Sequence, residues 1–127
     1  MTASPIDRVT TELLTVEVSG DAAHAHLTAI GEVDSSSAPT LRQHLDVLLD
    51  GDVREVTVDL TAVTFLDSAG LCVLAAAHRR SVAEDIRLHV LASSRAVVRP
   101  LQITGLWQLL HAEQVEPSAA DKADSAA

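Results

Sequence analysis

Asp67 and Ser68 are the residues of this chain whose types and placement best support chemistry. They follow residues 56–60, a β-branched run with strand periodicity, and precede residues 71–80, which favour a helix with arginine in its last turn. A helix N-terminus has unpaired backbone N–H groups and the positive end of the helix dipole, which together favour an anion. A serine hydroxyl placed there can carry a phosphate without unfolding the helix. The sequence therefore predicts Ser68 as a phosphorylation site.

Helix capping is the alternative role for Ser68. Serine is among the preferred N-cap residues, and an isolated serine at a helix start is far more often a cap than a modification site. The two roles are compatible, because the geometry that caps a helix also presents the hydroxyl at the surface.

Two histidines have the spacing of metal ligands. His24 and His26 are two residues apart in a predicted strand, so their side chains would lie on one face. A metal site needs a third or fourth ligand, and the sequence has no Cys-x-x-Cys or His-Glu-x-x-His motif to supply it. We therefore interpret both as exposed strand residues and predict neither a metal nor any other cofactor.

The sequence does not predict an enzyme. A serine hydrolase would place Ser68 in a Gly-x-Ser-x-Gly turn, but position 66 is leucine, and no His–acid pair is identifiable. Cys72 lies one helical turn after Ser68, and we expect it to be a small buried hydrophobic residue rather than a redox group.

Alternating strands and helices must position these residues. The sequence pattern predicts helices that begin near Ser37, at residue 69, and after Ser93 or Ser94. The β-α-β order implies an α/β fold with a central, mixed, mostly parallel sheet of four to five strands flanked by helices. The predicted strands lie at residues 14–18, 24–30, 55–60 and 87–91.

Pro100 and Gly105 should shape the last helix. Proline inside a helix removes one hydrogen bond and clashes with the preceding turn, so we expect a kink or a late helix start at Pro100. Gly105 is a natural residue to end that helix in the left-handed conformation.

The chain is predicted to be one domain with a tail at each end. Residues 1–10 mix polar, charged and proline residues without a sustained period. Residues 113–127 are small and polar, with four acids and one lysine, and cannot bury much apolar surface. The sequence therefore predicts a folded domain over residues 11–112 and a flexible C-terminal tail over residues 113–127.

Composition narrows the partners and the compartment. The 127 residues carry 18 acidic and 9 basic side chains, a net charge of −9, which opposes nucleic-acid binding. No apolar run approaches the roughly 20 residues that span a bilayer, and no secretory leader is recognisable. One cysteine cannot form an internal disulfide. We therefore expect a cytoplasmic protein that binds neither a membrane nor a nucleic acid directly.

Three short motifs are spaced along the chain. In chain order they are Gly-Glu-Val-Asp at 31–34, Phe-Leu-Asp-Ser-Ala-Gly-Leu at 65–71, and residues 97–106, which end in Ile-Thr-Gly-Leu. Their order and spacing resemble the STAS domain family. The second motif resembles the phosphorylated loop of the family's anti-anti-sigma factors, which are anti-sigma factor antagonists. The resemblance covers about residues 13–111.

The resemblance implies a regulator that binds a protein. In the family, the unphosphorylated antagonist binds an anti-sigma factor that is also a serine kinase, and so releases a sigma factor. The kinase then phosphorylates the serine that matches Ser68, which weakens the complex, and a phosphatase resets it. Asp34 matches the family's acidic turn residue, and we expect it to contact the partner together with Asp67, Ala69 and Gly70, where glycine would permit close approach of the partner.

A STAS scaffold or ligand-sensing module that meets no kinase is the alternative function. The intact Asp67–Ser68 pair argues against this alternative, and the lack of a membrane segment disfavours a transporter-attached STAS domain.

Overall fold

The computed structural model describes the backbone of residues 7–10 and, with side chains, residues 13–116. Strands and helices alternate through most of this part of the chain. In chain order the elements are β1 (Asp7–Thr10), β2 (Leu14–Gly20), β3 (His24–Val33), α1 (Ala38–Asp50), β4 (Glu55–Leu66), α2 (Ser68–Ala83), β5 (Arg87–Ala92), α3 (Arg95–Thr104), α4 (Leu106–Leu109) and β6 (Glu113–Gln114).

The described strands form one six-stranded sheet in the order β1-β2-β3-β4-β5-β6. β2 pairs antiparallel with both β1 and β3, whereas β3, β4, β5 and β6 pair in parallel. The predicted α/β fold with a mixed, mostly parallel sheet is confirmed. The sheet has more strands than the four to five predicted, because β1 and β6 add a short strand at each edge.

Both additional strands lie in segments that the sequence predicts as tails. The hydrophobic pattern of the sequence does not reveal them, since β1 has four residues and β6 has two residues, Glu113 and Gln114, which are exposed. Residues 1–6 and 117–127 of the predicted tails lie outside the described residues. The division into a domain at 11–112 and tails at 1–10 and 113–127 stays a prediction.

The central strand β4 is longer than its pattern indicates. The sequence predicts a strand at 55–60, but β4 continues to Leu66, and its register against β3 shifts twice. The Asp59 carboxylate accepts hydrogen bonds from the backbone N–H of Thr61 at 3.0 Å and from the Thr61 hydroxyl at 2.6 Å. This irregularity interrupts the alternation, so that Val63 is buried where regular strand period would expose it.

The hydrophobic core lies on one face of the sheet. Alternate residues of the strands are buried there, such as Val56 and Val58 of β4, and the helices contribute fully buried leucines, such as Leu41 and Leu74. The opposite face carries half-exposed polar residues, which is the usual pattern of a sheet covered on one side. Within the described residues, no helix combines the length and apolarity that crossing a bilayer requires.

The last long helix contains its proline. α3 begins at Arg95, so the predicted late start at Pro100 is wrong. The Ser94 hydroxyl makes no cap hydrogen bond, and donates instead to the Val63 carbonyl of β4 at 3.2 Å, which fixes the helix start to the sheet. Gly105 ends α3 with φ 81°, so the predicted left-handed residue is confirmed.

Candidate functional site

The candidate site lies where β3 and β4 end side by side. Val33 pairs with Leu66 in the last register position of the two strands, and the backbone N–H of Asp67 donates to the Val33 carbonyl at 3.2 Å. Asp34 and Asp67, which follow these paired residues, therefore lie side by side at the C-terminal ends of these two central strands, which we call the sheet edge of the site. This edge of a parallel sheet is where α/β proteins commonly place their functional loops.

Asp67 is the N-cap of α2. One of its carboxylate oxygens accepts from the backbone N–H groups of Ala69 at 2.9 Å and Gly70 at 3.3 Å. The Asp67 carbonyl also accepts the first helical hydrogen bond, from Leu71, at 3.0 Å. The carboxylate thus satisfies two otherwise unpaired N–H groups and places a negative charge at the positive end of the helix dipole.

Ser68 is the first residue of the helix and is exposed. The alternative role of Ser68 as the N-cap is wrong, because the preceding residue provides the cap. The hydroxyl of Ser68 is consequently not required by the helix start and stands at the surface of the site. Asp67 therefore takes the capping role that the sequence analysis considered for Ser68, and phosphorylation of Ser68 stays a prediction.

Replacing Asp67 should destabilise the domain measurably. Asp67→Ala removes the cap acceptor for two N–H groups, so we expect the free energy of unfolding to fall by about 1 kcal/mol. Asp67→Asn keeps an oxygen acceptor and should lose only a few tenths of a kcal/mol, on the scale of the charge–dipole contribution. Urea unfolding of the three proteins measures both differences. Equal unfolding midpoints for Asp67→Ala and the wild type would contradict the capping role.

Gly70 is buried beneath the helix start rather than available at the surface. A Cβ atom at this position would overlap the Leu66 side chain and lie 2.8 Å from Cγ1 of Val33. The sequence interpretation that Gly70 permits close approach of a partner is therefore corrected. The close approach is that of α2 to the ends of β3 and β4, and any contribution of Gly70 to partner binding would be indirect.

Asp34 organises the turn between β3 and α1. One carboxylate oxygen accepts from the Ser36 hydroxyl at 2.7 Å, the Ser36 N–H at 2.9 Å and the Ser37 N–H at 3.1 Å. The buried Ser37 hydroxyl accepts from the Asp34 N–H at 3.0 Å and donates to the Glu32 carbonyl at 2.8 Å. Ser37 is the N-cap residue of α1 as predicted, but its side chain fixes the turn rather than the helix.

The hydrogen bonds of this turn lower the pKa of the Asp34 carboxyl below its ordinary value of 3.8. The Ser36 hydroxyl is the largest cause, partly opposed by burial and assisted by the backbone N–H groups of Ser36 and Ser37. Because the folded pKa is depressed, the carboxylate stabilises the fold at pH values above the unfolded pKa. That stabilisation is lost as the pH falls through the folded pKa.

Removing the Ser36 hydroxyl should raise the pKa of Asp34. We expect Ser36→Ala to move the titration midpoint of the Asp34 carboxyl carbon, followed by NMR, upward towards 3.8, because the donor with the largest effect is gone. Ser35→Ala is the matched control, since Ser35 is exposed and makes none of the hydrogen bonds to Asp34. A midpoint that shifts equally in both variants would refute this explanation of the lowered pKa.

A shallow groove between α1 and α2 adjoins the site, and Cys72 lies in it. Cys72 is exposed, so the expectation that it is a buried hydrophobic residue is wrong. Ala69 lies in the same groove and is half-buried, which places it within reach of a molecule that covers the helix start. The groove is lined by Ser35, Ala38, Pro39, Arg42, Ala69, Cys72, Val73 and Ala76.

Phe65 is a surface residue of the site that the sequence analysis did not single out for function. Its side chain is 45% exposed, although it is the sole phenylalanine of the chain and precedes the buried Leu66. Strand alternation from Leu66 would have indicated this exposure. An exposed aromatic residue next to Asp67 and Ser68 adds apolar contact area to an otherwise polar site.

The two histidines of β3 lie on the exposed face of the sheet, as predicted. The ring nitrogens of His24 lie 3.7 Å (Nδ1) from Oδ1 of Asp21 and 4.0 Å (Nε2) from Oε1 of Glu55. Nε2 of His26 lies 3.2 Å from Oδ2 of Asp59. Within the described part of the chain, no group of three or more His, Cys, Asp or Glu side chains has the geometry of a metal site.

Sequence comparisons associate the chain with one family. The family model for the STAS domain matches residues 14–121. The anti-sigma-B factor antagonist of Listeria monocytogenes is 29% identical over 96 residues, which cover 76% of this chain and 84% of that protein.

Solved structures give the same association. The crystal structure of an anti-sigma factor antagonist from Mycobacterium paratuberculosis superimposes with a TM-score of 0.73 at 28% identity, covering 88% of this chain and 92% of that one. The antagonist SpoIIAA is similar in fold in its unphosphorylated form, with a TM-score of 0.68 at 18% identity over 87% of this chain and 95% of that one. Its phosphorylated form gives a TM-score of 0.63 at 17% identity over 88% and 99% of the two chains.

Proposed function

Since the chain belongs to the STAS domain family, we propose that it acts as an anti-sigma factor antagonist that is switched by phosphorylation of Ser68. Its relatives are named as antagonists of anti-sigma factors, and the chain is accordingly a regulator rather than an enzyme. In the unphosphorylated state it would bind an anti-sigma factor that is also a serine kinase, and so release a sigma factor in the cytoplasm. A phosphatase would restore that state.

The position of Ser68 carries this proposal. The hydroxyl is exposed at the first residue of a 16-residue helix, and the cap that this helix needs comes from Asp67. A kinase can therefore modify the hydroxyl without removing any hydrogen bond on which the fold depends. The helix N-terminus also favours the phosphate that results.

The surroundings of Ser68 would form the surface that contacts the partner. Asp34 and Asp67 lie at the same sheet edge, Ala69 follows in the first turn of α2, and Phe65 exposes an aromatic ring beside them. Gly70 would contribute by holding α2 against the sheet. A phosphate adds about −1.5 to −2 charges to a surface that already contains two carboxylates, so it would repel an acidic partner and resist desolvation by an apolar one.

Intact-mass analysis tests the proposal directly. We expect wild-type protein, incubated with ATP and each purified anti-sigma kinase of its source organism, to gain the mass of one phosphate with at least one kinase. Ser68→Ala should gain none under the same conditions, because the accepting hydroxyl is missing.

Ser94→Ala is the matched control, since Ser94 is likewise a serine at the start of a helix but donates its hydroxyl to the Val63 carbonyl. It should be phosphorylated like the wild type. No added phosphate with any kinase, together with unmodified protein isolated from cells, would favour a STAS scaffold or ligand-sensing module instead.

A further inference from the structure

A second groove, between α2 and α3, opens one helical turn away from Ser68. We name it the α2–α3 groove; it has a volume of about 430 Å³ and is lined by Leu71, Arg95, Ala96, Arg99, Pro100, Ile103 and Thr104. Ile103 is 72% exposed, more than any other large hydrophobic residue in the described part of the chain. Because Ile103 is exposed in an apolar groove, a partner that covered this surface would remove apolar area from water, which is favourable.

The charge around this groove is opposite to that of the chain as a whole. The chain has 18 acidic and 9 basic residues, yet neither α2 nor α3 contains an aspartate or a glutamate. Arg95 and Arg99 are one helical turn apart on α3, and both are exposed. Within residues 13–116 neither arginine takes part in an ion pair, so no carboxylate of that part of the chain competes with an external one for the two guanidinium groups.

We propose that the α2–α3 groove docks an amphipathic segment of the anti-sigma partner that presents apolar side chains flanked by aspartate or glutamate. The apolar side chains would cover Ile103 and Leu71, and the acidic ones would pair with Arg95 and Arg99. Arginine at the edge of an apolar contact is a frequent determinant of protein interfaces, because its planar group binds carboxylates with two hydrogen bonds. The partner named here rests on the proposed function; the chemistry of the docked segment rests on the groove alone.

The groove also links docking to the phosphorylation site. Leu71 follows Ser68 by three residues, so the two side chains are neighbours on one face of α2, roughly 5–6 Å apart at Cβ. A phosphate on Ser68 would therefore place negative charge beside Leu71, the groove residue that α2 contributes. It would oppose the approach of an acidic segment to that side of the groove, in addition to opposing contact next to Asp67.

The test is a binding measurement with charge-reversed and apolar-to-acidic variants. The probe is the anti-sigma kinase that binds the unphosphorylated wild-type protein, and affinity is measured by calorimetry at two salt concentrations. The variants are R95E/R99E and Ile103→Asp. Their matched controls are R79E/R87E, which reverses two exposed arginines outside the groove, and Val82→Asp, which alters a residue that is 67% exposed.

We expect R95E/R99E to bind roughly 100-fold more weakly and Ile103→Asp roughly 10-fold more weakly than the wild type. The controls should stay within about threefold, and high salt should weaken the wild type more than R95E/R99E. Unfolding midpoints of all variants identify any loss that comes from misfolding. If both groove variants are folded and bind the kinase as tightly as the wild type does, the groove proposal is overturned and the proposed function is left intact. No binding of the wild type to any anti-sigma kinase would overturn both.

Discussion

Gly31→Ala should lower the free energy of unfolding by about 3 kcal/mol. Gly31 has φ 115°, a conformation that residues with a side chain rarely adopt. A Cβ atom there would overlap the carbonyl oxygen of Leu13, which is backbone and cannot rotate away. Moving Leu13 would also disturb the hydrogen bond of 2.9 Å that its carbonyl accepts from the Glu32 N–H.

Gly51→Ala is the matched control for this measurement. Gly51 has φ −85°, and a Cβ atom would find only the Leu48 carbonyl oxygen, at 3.5 Å. Alanine is compatible with this position, so the free energy of unfolding should be unchanged or rise by up to about 1 kcal/mol. Urea unfolding of both variants decides the matter: similar midpoints would show that the conformation of Gly31 has no special cost for other residues.

Phosphorylation of Ser68 should weaken binding of the anti-sigma partner by about 100-fold, or about 2.7 kcal/mol. The added charge lies beside the Asp67 carboxylate at a surface that must lose water on docking, so repulsion and desolvation both oppose the complex. Ser68→Glu adds a smaller charge and should lose about tenfold, whereas Ser68→Ala should bind within about threefold of the unphosphorylated protein. Calorimetry of the four proteins with the same partner measures the series.

Ser19→Glu separates a local effect from one of net charge. Ser19 is exposed and pairs with His26 near the start of β3, seven strand positions from Val33 and hence roughly 23 Å from the site. This separation exceeds the Debye length of about 8 Å, so the glutamate should leave affinity unchanged. Equal losses for Ser19→Glu and Ser68→Glu would mean that total charge, rather than the site, governs binding.

The sequence predicted those structural features that depend on residues close to one another in the chain. The start of α2 near Ser68 and the left-handed residue Gly105 follow from local patterns, as does the α/β order of elements. The sequence analysis considered capping for Ser68 and did not recognise Asp67 as the cap, because aspartate and serine are both good caps and stand side by side.

Features that depend on distant residues were not predictable in this way. The extension of β4 past residue 60 needs the pairing of β3 and the turn that Asp59 makes with Thr61. Cys72 is exposed because the space between α1 and α2 is open beside it, which no periodicity along α2 alone reveals. The α2–α3 groove likewise exists only because the fold brings Leu71 of α2 to the exposed residues of α3, which begin 24 positions later in the chain at Arg95.

The absence of a side chain at Gly70 limits how phosphorylation of Ser68 could affect the binding of a partner. Because α2 rests directly on Val33 and Leu66, its first turn has no room to swing or rotate against the sheet. Phosphorylation of Ser68 should therefore affect a partner through the changed electrostatic potential of the surface, without a hinge motion or a rearrangement of the fold. Hydrogen exchange of the amides in α2 should then be almost the same before and after phosphorylation, even while the lifetime of the complex changes greatly.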